Sequence, residues 1–534
     1  MQTTSSNDMN TASPRLSMIQ AKDAFENGNW HQARQAYLNV LSAEPNNAEA
    51  MLQLSYVESF LDDCREADAW ARKTLATRSK DPRLLLDLIR RLRTFNRIQM
   101  LHELASRLLA DKQTSSMVLV ECARQLSNAN EFGQALRCAE AAFAQAPKHP
   151  GIRLTYGQLL AHHGNTDEAS RHFEQVLKHN PRIGIAWWML SRLTRQTRLS
   201  NHVEAMKKIM ATTNLDSQNT AAMARALHKE LDDIGDHEQA WMALELMCRA
   251  RRSTFDHDPN AATKLVDALT STHTGSSQIN HKLGKTPIFI VGMHRSGTTL
   301  LEQLLGTNAS VNSLGELFDF PCALRYAANH YSKDAIDVLH VARLANMDMT
   351  EVGQRYMSDL AWRIDDKATH FTDKLPANFL NIGFIFNALP QARILHLVRD
   401  PIETCFSNLR ELYSDINSWS YDQHELGNYF IQYRRLMAHW RARWPDWILD
   451  VSYAELTRNT EIVMRQVTDF CGLAYSPAMT DPRNSQRAVS TASSVQVREG
   501  VTQRETPKWL PYKNHLRPLI ETLERGGVAL PNMD

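Results

Sequence analysis

The sequence predicts a multidomain chain, with an N-terminal all-α solenoid of stacked helical hairpins followed by an α/β domain built on a parallel sheet. Three observations lead there. Alanines recur with a 34-residue phase through the first third of the chain. A short apolar run, Ile288 to Val291, opens onto a glycine-bounded loop and then a leucine-rich helical pattern. A second apolar run, Ile394 to Val398, opens in the same way onto Arg399-Asp400-Pro401, with proline suited to a first helical turn.

Each element follows in order. Ala33, Ala67, Ala135 and Ala169 keep the 34-residue phase, and Leu101 fills the missing alanine position. Pro45, Pro147 and Pro181 keep the same phase, where proline stops a second helix. Small residues let paired helices approach, and Tyr37 and Phe173 fill the gaps between pairs. Five repeats are expected from about residue 14 to 183, a sixth from Gly184, and a final one at GDHEQAWMALELMCRARR. Ala240 lies 71 residues beyond Ala169, so three residues are inserted on the way. Trp30, Trp70 and Trp187 fall at packing positions. The expected helical array spans residues 14–252, a Ser-, Thr- and Gly-rich linker 253–285, and the second domain 286–534.

Composition narrows the function. Of 534 residues, 43% are hydrophobic and 22% charged, as in a globular protein. A net charge of +1 gives no global field for nucleic acid or an anionic membrane, so any bound anion needs a local site. No run approaches the ~20 apolar residues of a membrane span. The opening MQTTSSNDMNTASPRL lacks a basic region followed by an apolar core, so no secretory leader is expected. The seven cysteines are scattered without a C-x-x-C pair, which suits reduced thiols and a cytoplasmic location, with Cys405 read as a small buried residue. The 21 histidines form no HExxH-like pattern, and no metal is expected.

The loop Gly292-Met-His-Arg-Ser-Gly297-Thr298-Thr299 has the G-x-x-x-x-G spacing of a phosphate-binding loop, in which backbone N–H groups and a helix start hold an anion. Thr298 stands where nucleoside triphosphatases carry their lysine, and the cation is Arg295 instead. The anion is therefore shorter than a triphosphate, or differently charged.

G-x-x-R-S-G-T-T between an apolar strand and a leucine-rich helix resembles the 5′-phosphosulfate loop of sulfotransferases, above all the tyrosylprotein sulfotransferase-like group. Bacterial members of that group carry tetratricopeptide repeats, which the 34-residue period also resembles. His294 departs from the proline common in the group. The resemblance implies a P-loop-type domain that uses 3′-phosphoadenosine 5′-phosphosulfate and releases 3′,5′-adenosine bisphosphate. It implies that Arg295, Ser296, Gly297, Thr298 and Thr299 hold the 5′ side and that Arg399 and Ser407 hold the 3′-phosphate. Tyr453 lies at the nucleotide, and Ser493, Ser494 and Lys508 belong to a segment folded over it. Glu316, 21 residues after Arg295, matches the catalytic base, and Lys374 matches the lysine at the bridging oxygen, a task shared by Arg295.

No motif encodes the acceptor. A protein tyrosine, a small molecule, a glycolipid and a polysaccharide stay open, as do a protein partner on the repeats and a dimer. Trp419, Tyr421, Trp440, Trp444 and Trp447 are read mainly as core. Two other readings remain: a nucleotide-dependent phosphotransferase and a non-catalytic repeat scaffold.

Overall fold

The computed structural model describes residues 14–272, 284–413, 415–484 and 506–531. Helical hairpins fill the first part: Pro14–Glu26 with Trp30–Ala43, Ala48–Phe60 with Cys64–Ala76, and Pro82–Thr94 with Ile98–Ala110. Ser116–Ser127 with Phe132–Gln145 and Pro150–His162 with Thr166–His179 follow. Gly184–Leu193 with Val203–Thr212 and Ser217–Ile234 with His237–Arg252 complete the array. The phased residues Ala33, Ala67, Leu101, Ala135 and Ala169 are fully buried. Tyr37 and Phe173 are buried beside them, each ring worth about 1.5–3 kcal/mol. The second helices stop two residues before Pro45, Pro147 and Pro181, because a residue preceding proline is pushed out of the helical region. Trp187 is buried and Trp30 stacks on Phe60 at 4.1 Å, both packing roles.

One further position keeps the period. Gly28, Asp62, Asn96, Asn130 and Gly164 stand 34 residues apart, each in the turn inside a hairpin. All five adopt the left-handed conformation, with φ of 72°, 58°, 53°, 63° and 90°. Glycine, asparagine and aspartate are the residues that tolerate it best.

The second part is a parallel five-stranded sheet of β1 (Thr286–Gly292), β2 (Val311–Ser313), β3 (His370–Asp373), β4 (Arg393–Val398) and β5 (Ile448–Ser452), in the order β2-β3-β1-β4-β5. Apolar side chains of β1 go to both faces, as a buried parallel strand requires. Ile288 and Ile290 pack with Leu301, Leu304, Met464 and Val467. Phe289 and Val291 join a larger cluster on the other face.

That larger cluster is shared between the repeats and the sheet domain. It runs from Leu160, Trp188 and Trp241 of the repeats through Phe289, Phe320, Phe406 and Leu426 to Tyr512 and Leu523. Within 253–285, Ala261–Ser271 is a helix that buries Val266 and Leu269, three residues apart on one face. Near the C-terminus, Tyr512 donates to Asp232 at 2.6 Å and His515 stacks on Trp241 at 4.8 Å. Among the described residues, no helix is long and apolar enough to cross a membrane.

Candidate active site

All five strands deliver candidate residues at their C-terminal ends, the edge where open parallel sheets hold their ligands. β1 leads to the Gly292–Thr299 loop, β2 to Glu316, β3 to Lys374, β4 to Arg399 and β5 to Tyr453. Arg295 takes a left-handed turn (φ 66°) and Gly297 lies at φ 107°. A Cβ on Gly297 would lie 2.3 Å from the Tyr453 ring, so only glycine fits. Gly297 also caps the helix Thr298–Leu305 without a side chain, which makes an outside anion the natural partner for the first-turn N–H groups. Ser296 Oγ is buried with no hydrogen-bond partner among the described residues. Thr298 and Thr299 are buried next to it.

The helix Pro401–Leu409 clamps this loop. Arg295 Nε donates to Ser407 Oγ at 3.2 Å, and Asn408 Nδ2 donates to the His294 carbonyl at 2.7 Å. Arg399 donates to the Arg295 carbonyl at 3.0 Å and lies over the Tyr453 ring at 4.5 Å. It pairs with Glu403 at 3.1 Å, one helical turn on, rather than with the adjacent Asp400, which caps the helix. Burial lowers the Arg399 pKa while Glu403 opposes that shift. The backbone N–H of Lys508 donates to Glu403 at 3.0 Å. Arg295, Ser407, Arg399 and Tyr453 thus meet at one edge of the loop, and the Lys508 backbone reaches the neighbouring helix through Glu403. Ser493 and Ser494 lie outside the described residues.

Opposite stands a second pair. Lys374 Nζ donates to Glu316 Oε1 at 2.6 Å; the lysine side chain is 1% exposed and that of the glutamate 40%. Asp373 makes no surface pair with Lys374. It is fully buried and accepts from Tyr356 at 3.0 Å and Asn378 at 3.2 Å, and burial drives its pKa well up. The Glu316 loop is tied to the sheet at Gly315, whose N–H donates to Glu302 at 2.8 Å and whose carbonyl accepts from Lys374 N at 2.9 Å. Gly315 has φ 78°, so glycine serves the turn itself, beyond leaving room for a substrate.

His294 packs between Tyr413 and Trp419, with both ring centroids 5.9 Å away. Burial pushes its pKa down to about 4; Glu316 opposes this, and Lys374 and Arg295 add to it. At neutral pH the loop therefore carries the Arg295 charge alone. Trp419, Tyr421 and Trp440 are buried, and of these Trp419 also reaches the loop through His294. Cys405 is fully buried, and burial raises its thiol pKa well above the usual value.

Sequence reasoning missed Asn408, Glu403 and Glu302. Glu302 had a signal, an acidic residue inside the apolar pattern TTLLEQLL. It also missed the cluster of His330, Asp337 and His340, whose ligand-type atoms lie within 4.8 Å of one another. His330 already bridges Asp62 and Asp337, and His340 Nδ1 is hydrogen-bonded to Asp337, while His340 Nε2 is buried with no hydrogen-bond partner among the described residues.

A family model described as "Sulfotransferase family" matches residues 287–477, and tetratricopeptide-repeat models match residues 20–58 and 128–193. Residues 287–477 are a sulfotransferase-family domain. An uncharacterized protein of Aquifex aeolicus (strain VF5) is 25% identical over 398 residues, covering 71% of this chain and 51% of its own length. The chain thus spans about half of that curated relative. Among solved structures, the sulfotransferase domain of the Synechococcus PCC 7002 olefin synthase is 18% identical, with a TM-score of 0.32 over 48% of this chain and 100% of that one. YrrB, a tetratricopeptide protein with an unusual peptide-binding site, is 16% identical, with a TM-score of 0.27 over 40% of this chain and 98% of its own. The sulfotransferase-family domain and the repeats in front of it are both continuous with the shared core.

Proposed function

We propose that this protein transfers a sulfonate group from 3′-phosphoadenosine 5′-phosphosulfate to an acceptor hydroxyl. The observation that carries the reading is the pairing of two sites on one sheet edge. One is the Arg295–Ser407–Arg399 cluster on the anion loop, and the other is the Lys374–Glu316 pair. The residues fit such a donor. Ser296 Oγ is an orphaned buried hydroxyl at an uncapped helix start, and Arg295 supplies a forked cation beside it. Arg399 and Ser407 suit a 3′-phosphate, with Tyr453 and Lys508 next to them.

In the proposed reaction, the acceptor oxygen forms a bond to sulfur as the bond from sulfur to the bridging phosphate oxygen breaks. Glu316 takes the acceptor proton, and the electron pair of the broken bond stays on 3′,5′-adenosine bisphosphate. Lys374 has three N–H donors, so it can hold Glu316 and still face the leaving oxygen. Thr298 in place of a lysine disfavours phosphoryl transfer of the triphosphatase kind. The acceptor is a protein or peptide, a small molecule or a glycan. The repeats suit a protein partner, and a cytoplasmic location is part of the same reading.

Calorimetric binding of 3′,5′-adenosine bisphosphate against ADP, each with and without magnesium, tests the proposal. Preference for the bisphosphate, indifferent to magnesium and lost in Arg399→Ala, is expected. Preference for ADP with magnesium would overturn it in favour of a phosphotransferase, and binding of neither would favour a scaffold.

A further inference from the structure

We infer that Asn130, a residue of the repeat array, is a positioning residue for the Glu316 loop of the sulfotransferase-family domain. The inference rests on the proposed role of Glu316. It starts from the five left-handed turn positions. Gly28 and Gly164 use the residue with least strain there, yet the three between them are Asp62, Asn96 and Asn130. All three side chains meet the catalytic domain. Asp62 pairs with His330 and with Arg343 at 2.7 Å. Asn96 sits against the buried Asp319 carboxyl group. Asn130 Nδ2 donates to the backbone carbonyl of Glu316 at 2.6 Å. The polar turn residues thus form a row of contacts along residues 316–343.

Asn130 is the rung that reaches the chemistry. On the sheet side, Leu314 N–H donates to Thr372 at 3.3 Å, and both polar groups of the Gly315 backbone are taken by Glu302 and Lys374. The next carbonyl, that of Glu316, is taken by the repeat array. The donor is itself fixed, because the buried Arg363 of the catalytic domain donates to the Ala129 carbonyl at 3.0 Å and pairs with Glu131 at 3.1 Å. Residues 129–131 are therefore gripped on both sides of Asn130. Without the amide, the Glu316 carbonyl loses that donor while Leu317 stays anchored in the core, and the peptide between them can shift the Glu316 carboxylate from its 2.6 Å register with Lys374. A displacement of about 1 Å in a reacting group can cost on the order of 100-fold in rate.

The test uses the full chain with Asn130→Gly, which keeps the turn that glycine makes at positions 28 and 164, and Asn130→Asp, which replaces the donor by an acceptor. Two readouts are taken: hydrogen exchange of the 314–318 amides with 3′,5′-adenosine bisphosphate bound, and transfer from 3′-phosphoadenosine 5′-phosphosulfate to p-nitrophenol as an aryl hydroxyl probe. Exchange at least fivefold faster in both variants is expected, with kcat about tenfold lower and both the KM for the donor and the Kd for the bisphosphate unchanged. Unchanged exchange, or an unchanged kcat, would overturn the inference. A merely structural contact would lower the melting temperature without splitting kcat from KM. If the wild-type protein itself transfers nothing, the sulfotransferase reading fails instead; exchange, which needs no turnover, still decides whether Asn130 holds the loop.

Discussion

The loops after β1 and after β2 lie on the same edge of one sheet, yet they are built differently. The Gly292–Thr299 loop is held from inside its own domain, by Asn408 on the His294 carbonyl, Arg399 on the Arg295 carbonyl and Tyr453 against Gly297. The Glu316 loop is shared, with Glu302 and Lys374 holding Gly315 and Asn130 holding Glu316 from the repeats. The comparison teaches that a site for the donor can be assembled by one domain, while the proposed base is set by the whole chain.

Breaking each loop separately should separate binding from turnover. Glu316→Gln is expected to lower kcat by about 10²–10⁴-fold while calorimetry finds bisphosphate binding intact. Arg295→Met should do the reverse first, weakening bisphosphate binding by on the order of 10- to 100-fold through the loss of a charged hydrogen bond. If both substitutions damage binding equally, the two loops are not independent.

Gly297→Ala should act on the first loop alone. Its methyl group meets the Tyr453 ring at a backbone angle that L-residues avoid, a cost of about 1–3 kcal/mol. Loss of bisphosphate binding with unchanged exchange at residues 314–318 is the expected pattern.

Arg65→Ala cuts the seam between repeats and domain away from either loop. Arg65 donates to the Tyr326 carbonyl at 2.8 Å, the Ala327 carbonyl at 2.7 Å and, through its backbone N–H, to Asn329 at 2.9 Å. About 1 kcal/mol of stability should go, seen as a lower melting temperature, with kcat within about twofold of wild type. A fall in kcat of about tenfold would mean that the entire seam, not Asn130, governs the base.

The smallest effect concerns His294. Its folded pKa of about 4 lies below the ordinary value of about 6.5, so the unfolded chain takes up a proton that the folded ring refuses. Stability from this group is present above pH ~6.5 and is lost as the pH falls towards 4. His294→Asn should flatten that part of the acid slope in urea midpoints measured between about pH 7 and 5. Parallel slopes would show that His294 is not the group responsible.

Much of this was legible in the residues. The 34-residue alanines announced the hairpins, and R-S-G-T-T announced the turn between β1 and the helix Thr298–Leu305, because each is a pattern written in the residues themselves. The helix Ala261–Ser271 was hidden by the Ser, Thr and Gly that follow it, although Leu265, Val266 and Leu269 already mark one face. The shared core was not legible: Trp188 and Phe289 are ordinary apolar residues, and nothing local says that they join one cluster. The role of Asn130 lay between these cases. Its phase with Gly28 and Gly164 is written in the sequence, but its partner, 186 residues away, is not.

The evenly spaced turns make the solenoid a ruler. Asp62, Asn96 and Asn130 meet residues 316–343 only because a fixed number of units separates them from the last hairpin, which is locked to the catalytic domain through Asp232 and Trp241. Inserting or deleting one unit between Asn130 and Asp232 would slide every rung by a full repeat and leave Glu316 facing the wrong turn. A unit added ahead of Gly28 would slide nothing. The array can thus be lengthened at one end without moving these contacts, while at the other end the number of units sets which turn meets the Glu316 loop.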